Sequence, residues 1–202
     1  MNQTSLCTVA ILAGGQSRRM GTNKSFVQLD GKPIIQHVIE RVQALQLLTI
    51  LITNTPEAYA TFQLPAYTDV LPGNGSLGGI YTALSYSTTP YTLCVGCDMP
   101  LLQPDLLQYL IDKAPGHDIV VPVVGTRPEN LCAVYSQNMS PIMRQQIEQG
   151  QLKIGLLHEK VRVAKIQETA LKAIDPALHS FMNVNTPDDL AKVQQALHDT
   201  LT

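Results

Sequence analysis

Short apolar runs and longer stretches of helical spacing take turns along this chain. Cys7 to Leu12 is a short apolar run that ends at Gly14-Gly15, the pattern of a buried strand entering a loop. From Lys32-Pro33 onward, Ile34, Ile35, Val38, Val42 and Leu45 recur at helical intervals, while Glu40 and Arg41 fall on the opposite face. Leu48 to Thr53 again reads as a strand. A short extended piece near Tyr67 to Val70, a glycine-rich turn from Gly73 to Gly79, and a helix from about Ile80 to Tyr86 follow. Tyr91 to Gly96 is a further strand, and Pro104 opens a helix. Ile119 to Val123 and Leu131 to Tyr135 read as strands, and Pro141 to Gln149 as a helix. Thr186-Pro187-Asp188-Asp189 marks the start of the last helix, with a capping hydroxyl, proline in the first turn and two carboxylates at the positive dipole end.

This alternation, with no proline-rich or charged linker, predicts an α/β fold. The expected architecture is a single Rossmann-like, three-layer domain over residues 1–202, with one open, mainly parallel sheet covered on both faces. A length of 202 residues fits one such unit. A formal charge of -2 gives no field that would draw nucleic acid or a membrane in general, and no Trp with three Phe makes a base-stacking surface a poor fit. No apolar run approaches the roughly 20 residues that span a bilayer, and no basic, then apolar, leader opens the chain. These features predict a cytoplasmic protein that binds neither nucleic acid nor membrane. Cys94 and Cys97 resemble a CxxC pair, but a strand through them sends side chains three apart to opposite faces, so two small core residues are the favoured reading.

In an open parallel sheet the ligand crevice lies at the carboxyl ends of the strands, which directs attention to three loops. The first is Leu12-Ala13-Gly14-Gly15-Gln16-Ser17-Arg18-Arg19-Met20-Gly21-Thr22-Asn23-Lys24. Its adjacent glycines let backbone N–H groups close on an anion, and Arg18, Arg19 and Lys24 supply the opposite charge. The GxxxxGK[ST] spacing of a Walker loop is absent, as is GxGxxG. A sharp turn carrying solvated basic residues is the alternative. The second loop, Gly96-Cys97-Asp98-Met99-Pro100, places a carboxylate at a strand mouth where a hard cation bridging phosphates can be held; taken alone, Asp98 reads as an ordinary turn residue before proline. In the third, Asp69 precedes Pro72-Gly73-Asn74-Gly75-Ser76-Leu77-Gly78-Gly79, which admits a sugar or base against backbone, or is simply a flexible loop.

Taken together, these motifs are family-like. Leu12-Ala13-Gly14-Gly15 with Arg19-Met20-Gly21 and Lys24, Gly75-x-Leu77-x-Gly79, Cys97-Asp98-x-Pro100 and Asn183-Val184-Asn185-Thr186-Pro187 occur in that order. The chain from about residue 8 to 195 resembles the molybdenum cofactor guanylyltransferases. The first motif is shared with other nucleotidyltransferases, and the tail motif and length narrow the resemblance.

The resemblance implies a nucleotidyltransferase-type fold and a Mg²⁺-dependent enzyme. Its reaction would move GMP from GTP to molybdenum-bound molybdopterin, forming the guanine dinucleotide cofactor and releasing pyrophosphate. It also implies roles. Arg19, Lys24 and Asp98 are the expected catalytic residues, with Asp98 the Mg²⁺ ligand. Leu12, Ala13, Gly14, Gly15, Lys24, Asn54, Asp69 and Asp98 are expected to bind nucleotide, and Asn183 and Asn185 to bind the acceptor. Transient contacts with cofactor insertion proteins and target oxidoreductases would follow. The segment Glu129-Asn130-Leu131 departs from the family pattern, which has a proline preceded by His or Gln. Two alternatives stay open: a cytidylyltransferase or related enzyme with a different phosphorylated acceptor, and a non-catalytic molybdenum cofactor carrier. None of the five histidines shares a metal-like spacing with another.

Overall fold

Strand β1 (Cys7–Leu12) is buried for nearly its whole length, and the reason lies on both sides of it. In a computed structural model, which describes residues 6–14 and 24–199, β1 pairs in parallel with β4 (Thr49–Ile52) on one side and β6 (Tyr91–Gly96) on the other. Cys7, Val9 and Ile11 point into one apolar cluster with α1 (Ile34–Gln43) and α3 (Pro104–Asp112). Ala10 points into another, with α2 (Gly75–Tyr86) and α4 (Met139–Glu148). Strand alternation thus feeds two cores, one per face, and produces the three layers.

The sheet runs in the order β10 (Val163–Gln167), β7 (Ile119–Val124), β9 (Cys132–Ser136), β6, β1, β4, β5 (Ala66–Tyr67), with β8 (Arg127–Pro128) on β7. Parallel pairs dominate, but β9 lies antiparallel to both β6 and β7. The connection from β7 to β9 is a short hairpin through β8, too brief for the helical crossover that a parallel return needs.

Several boundaries differ from the sequence expectation. Helix α2 begins at Gly75, not Ile80, so the glycine-rich stretch is its first turn. Gly78 is there for space: a Cβ would lie 2.9 Å from the Asn74 Cβ and 3.2 Å from the Leu71 carbonyl oxygen. Helix α4 starts two residues before Pro141, which occupies its first turn. The hairpin of β2 (Gln28–Leu29) and β3 (Lys32–Pro33), the edge strand β10, helix α5 (Glu168–Lys172) and the 3-10 segment Pro56–Phe62 carry no clear periodic signal.

Helix α6 (Pro187–Asp199) begins as its sequence suggests. Thr186 Oγ1 accepts from the Asp189 N–H at 3.1 Å, and Asp189 Oδ2 accepts from the Thr186 N–H at 2.9 Å, a reciprocal cap. Val193, Ala196 and Leu197 pack on Leu29, Ile34, Leu101 and Val184 in a third cluster. That packing brings the Asn183–Asn185 segment back to the end of β6. Cys94 and Cys97 lie against opposite cores, as their spacing requires. Among the described residues no helix is long and apolar enough to cross a membrane.

Candidate active site

A cleft opens where β1, β4 and β6 end. Its walls include Leu12, Ala13, Gly14, Lys24, Ile52, Asp69, Gly75, Gly79, Gly96 and Asp98, all three expected loops among them. The convergence follows from the parallel register, since Leu12 stands beside both Ile52 and Gly96. Gly15 and Arg19 lie outside the described residues.

Asp98 is held from behind. Its carbonyl oxygen accepts from the Val184 N–H at 2.9 Å, and the preceding N–H, of Cys97, donates to the Leu12 carbonyl at 3.2 Å. The carboxylate folds back over the strand end, so that a Cβ on Gly96 would lie 2.7 Å from Asp98 Oδ1. Burial raises the Asp98 carboxyl above the ordinary range, against the lowering effects of a backbone hydrogen bond and the Lys24 charge. A half-buried acid facing an ammonium is poised to bind a cation or to lie against one.

Cys97 beside it belongs to the scaffold. The Tyr59 hydroxyl donates to Ser25 Oγ at 3.0 Å, and Ser25 Oγ donates to Cys97 Sγ at 3.3 Å. Burial pushes the Cys97 thiol up to about 12, so it stays a thiol at neutral pH. The chain Tyr59, Ser25, Cys97 ties the segment bearing Lys24 to the loop bearing Asp98.

Across the cleft, Asn54 Nδ2 donates to Asp69 Oδ2 at 2.8 Å and Asn54 Oδ1 accepts from the Asp69 N–H at 3.1 Å. Asp69 is on the wall; Asn54 is exposed behind it and reaches the cleft only through Asp69. Asn183 and Asn185 are likewise off the wall. Asn183 Nδ2 donates to the Phe181 carbonyl at 3.4 Å, and Asn185 Oδ1 accepts from Lys24 Nζ at 2.6 Å. Sequence reasoning missed Ser25, Ile52 and Leu131 as wall residues. For Ile52 the signal was its position as the last residue of a buried strand.

A mostly parallel sheet whose strand ends open on a glycine-lined crevice, with Lys24 on the rim and the carboxylates of Asp69 and Asp98 in its walls, is the architecture of a nucleotide-binding α/β protein. The chain belongs to the MobA-like NTP transferase family, whose domain matches residues 9–163. It is 36% identical to the molybdenum cofactor guanylyltransferase of Desulfosudis oleivorans, over 94% of this chain and 95% of that protein. It is 34% identical to a probable molybdenum cofactor guanylyltransferase of Natranaerobius thermophilus, over 96% and 97% of the two chains. Among solved structures, molybdopterin-guanine dinucleotide biosynthesis protein A from Archaeoglobus fulgidus superposes with a TM-score of 0.85 at 30% identity, covering 95% of this chain and 99% of that one.

Proposed function

We propose that this chain, acting as a single domain, transfers GMP from GTP to the terminal phosphate of molybdenum-bound molybdopterin and releases pyrophosphate. The observation that carries the reading is the meeting of Lys24 and Asp98 at one cleft, with the tail segment Asn183–Asn185 bonded to both residues' loops. Relatives of the same length named molybdenum cofactor guanylyltransferase support the choice of donor and acceptor.

The reaction joins an acceptor phosphate oxygen to the α-phosphorus of GTP and breaks the bond to the β-phosphate bridging oxygen. The acceptor is already an anion, so no base is required. What the chain must supply is alignment and relief of charge. Lys24 would meet the triphosphate and the leaving pyrophosphate, sharing that work with Arg19. Backbone groups of Leu12, Ala13, Gly14 and Gly15 would frame the nucleotide, and Asp69, oriented by Asn54, would face its nucleoside part. Asn183 and Asn185 would meet the acceptor.

Asp98 would hold Mg²⁺. Among the described residues no cluster of three or more His, Cys, Asp or Glu gathers for a metal, but Mg²⁺ is commonly held by one or two carboxylates completed by phosphate oxygens and water, which this donor set fits. When bound, the ion would neutralise charge on the phosphate oxygens. In this reading the enzyme works in the cytoplasm and meets cofactor insertion proteins and target oxidoreductases transiently.

The test is incubation of purified protein with GTP, CTP or ATP, Mg²⁺ and molybdenum-bound molybdopterin. The guanine dinucleotide and pyrophosphate are expected with GTP. A preference for CTP would remove the guanylyl assignment, and no pyrophosphate with any nucleotide would leave a carrier.

A further inference from the structure

We infer that Asn185 is a positioning residue for Lys24, so that the C-terminal segment sets the affinity of the nucleotide site before any acceptor arrives. The inference rests on the reading of the cleft as a triphosphate site. It adds to Asn185 a role that acceptor contact does not require.

Lys24 and Asn185 are 161 positions apart, and their side chains meet at 2.6 Å. Both ends of that bond are anchored. On one side the Asn185 N–H donates to Asp189 Oδ2 at 3.1 Å, inside the cap that begins α6. Its neighbour Val184 is fully buried and donates from its backbone to the Asp98 carbonyl. On the other side Ser25, next to Lys24, is fixed by Tyr59 and Cys97. The lysine therefore reaches the cleft from a pinned backbone and ends on a pinned acceptor.

The chemistry of the partner matters. An amide oxygen is neutral, so it orients the ammonium without cancelling its charge, and it engages one of three N–H donors. A long lysine side chain loses much rotamer freedom when it binds an anion, and holding it beforehand moves that cost into folding. A carboxylate at position 185 would hold Lys24 as well but would compete with the triphosphate for its charge.

The experiment is calorimetric titration of the whole protein with GTP and Mg²⁺, acceptor omitted, for wild type, Asn185→Ala, Asn185→Asp, Lys24→Ala and the Lys24→Ala/Asn185→Ala pair. Asn185→Ala should weaken GTP by roughly 3- to 10-fold. Asn185→Asp should weaken it further, although aspartate forms turns and caps as well as asparagine does. In the Lys24→Ala background, Asn185→Ala should have no further effect. Wild-type affinity in Asn185→Ala, better binding by Asn185→Asp than by Asn185→Ala, or additive losses in the pair would each overturn the inference. If Lys24→Ala weakens GTP and Asn185→Ala does not, the nucleotide site stands and only this inference fails; no GTP binding by the wild type overturns both.

Discussion

Asn54 and Asp69 bind each other twice, side chain to side chain at 2.8 Å and backbone N–H to side chain at 3.1 Å, and only Asp69 faces the cleft. The pair fastens the loop after β5 to the end of β4. Asn54 is thereby a holder of the wall. Asn54→Ala should raise KM for GTP by roughly 3- to 10-fold with kcat within about twofold, because orientation of Asp69 is loosened in every bound state alike. Asn54→Asp should do worse, since it sets two carboxylates side by side. Steady-state kinetics on both variants check this; an unchanged KM would show that Asp69 needs no such support.

Gly96 offers a way to move the Asp98 carboxylate without removing it. A Cβ there would press on Oδ1 at 2.7 Å, and the far end of a side chain yields more readily than backbone. Gly96→Ala should keep the fold, with a stability loss of about 1–3 kcal/mol at most, while lowering kcat by about 10- to 100-fold. Thermal melting and kinetics measured together decide it. A folded variant of full activity would mean that the position of the carboxylate is of no consequence.

At Gly78 the obstacles are a neighbouring Cβ and a carbonyl oxygen in the segment leading into α2, so relief must come from backbone. Gly78→Ala should destabilise the protein by about 1–3 kcal/mol, although alanine favours helices over glycine by about 1 kcal/mol. Denaturant unfolding would show a lower midpoint. A higher one would mean that helix propensity outweighs the crowding.

Asp118 and Arg162 join β7 to the start of β10 through paired contacts at 3.1 Å, and the Arg162 N–H adds another at 3.0 Å. The hydrogen bonds and charge of Arg162 hold the Asp118 carboxyl below its ordinary range. A depressed folded pKa gives stability that is present above the unfolded value, about 3.9, and lost as pH falls through the folded one. Asp118→Asn should lower Tm by a few degrees at pH 7, and the gap from wild type should close below about pH 4. Because Arg162 is largely exposed, high salt should shrink the gap as well. A gap that is constant with pH would contradict the assignment.

What the chain discloses before folding depends on the range of the interaction. β1, β4 and β6 are legible because strands covered on both faces are mostly apolar, and α1 because its buried face recurs at helical spacing. The start of α2 is not, since glycine signals a turn by propensity, whereas at Gly78 it is demanded by contacts that sequence spacing does not display. β10 is half-buried at the sheet edge and interrupted by Lys165, so its pairing with β7 decides its conformation. The reversed direction of β9 comes from the brevity of its connection.

Lys24, Asp69 and Asp98 stand out as site residues because each follows a strand of the sheet at its carboxyl end. The indirect roles of Asn54 and Asn185 are invisible to spacing, because each depends on a side-chain bond made across the fold. Ser25, Ile52 and Leu131 lack the residue types or positions that marked the three loops, and only the closing of the walls brings them in.

The central claim is that Lys24 and Asp98 make this cleft a GTP-dependent transferase site. Pyrophosphate release, measured with GTP, Mg²⁺ and molybdenum-bound molybdopterin for wild type and for Asp98→Asn, tests it most directly. The wild type should release one pyrophosphate per guanine dinucleotide formed, and Asp98→Asn should be slower by at least about 100-fold while melting within a few degrees of it. Equal rates in a folded Asp98→Asn variant, or no pyrophosphate from the wild type, would contradict the account.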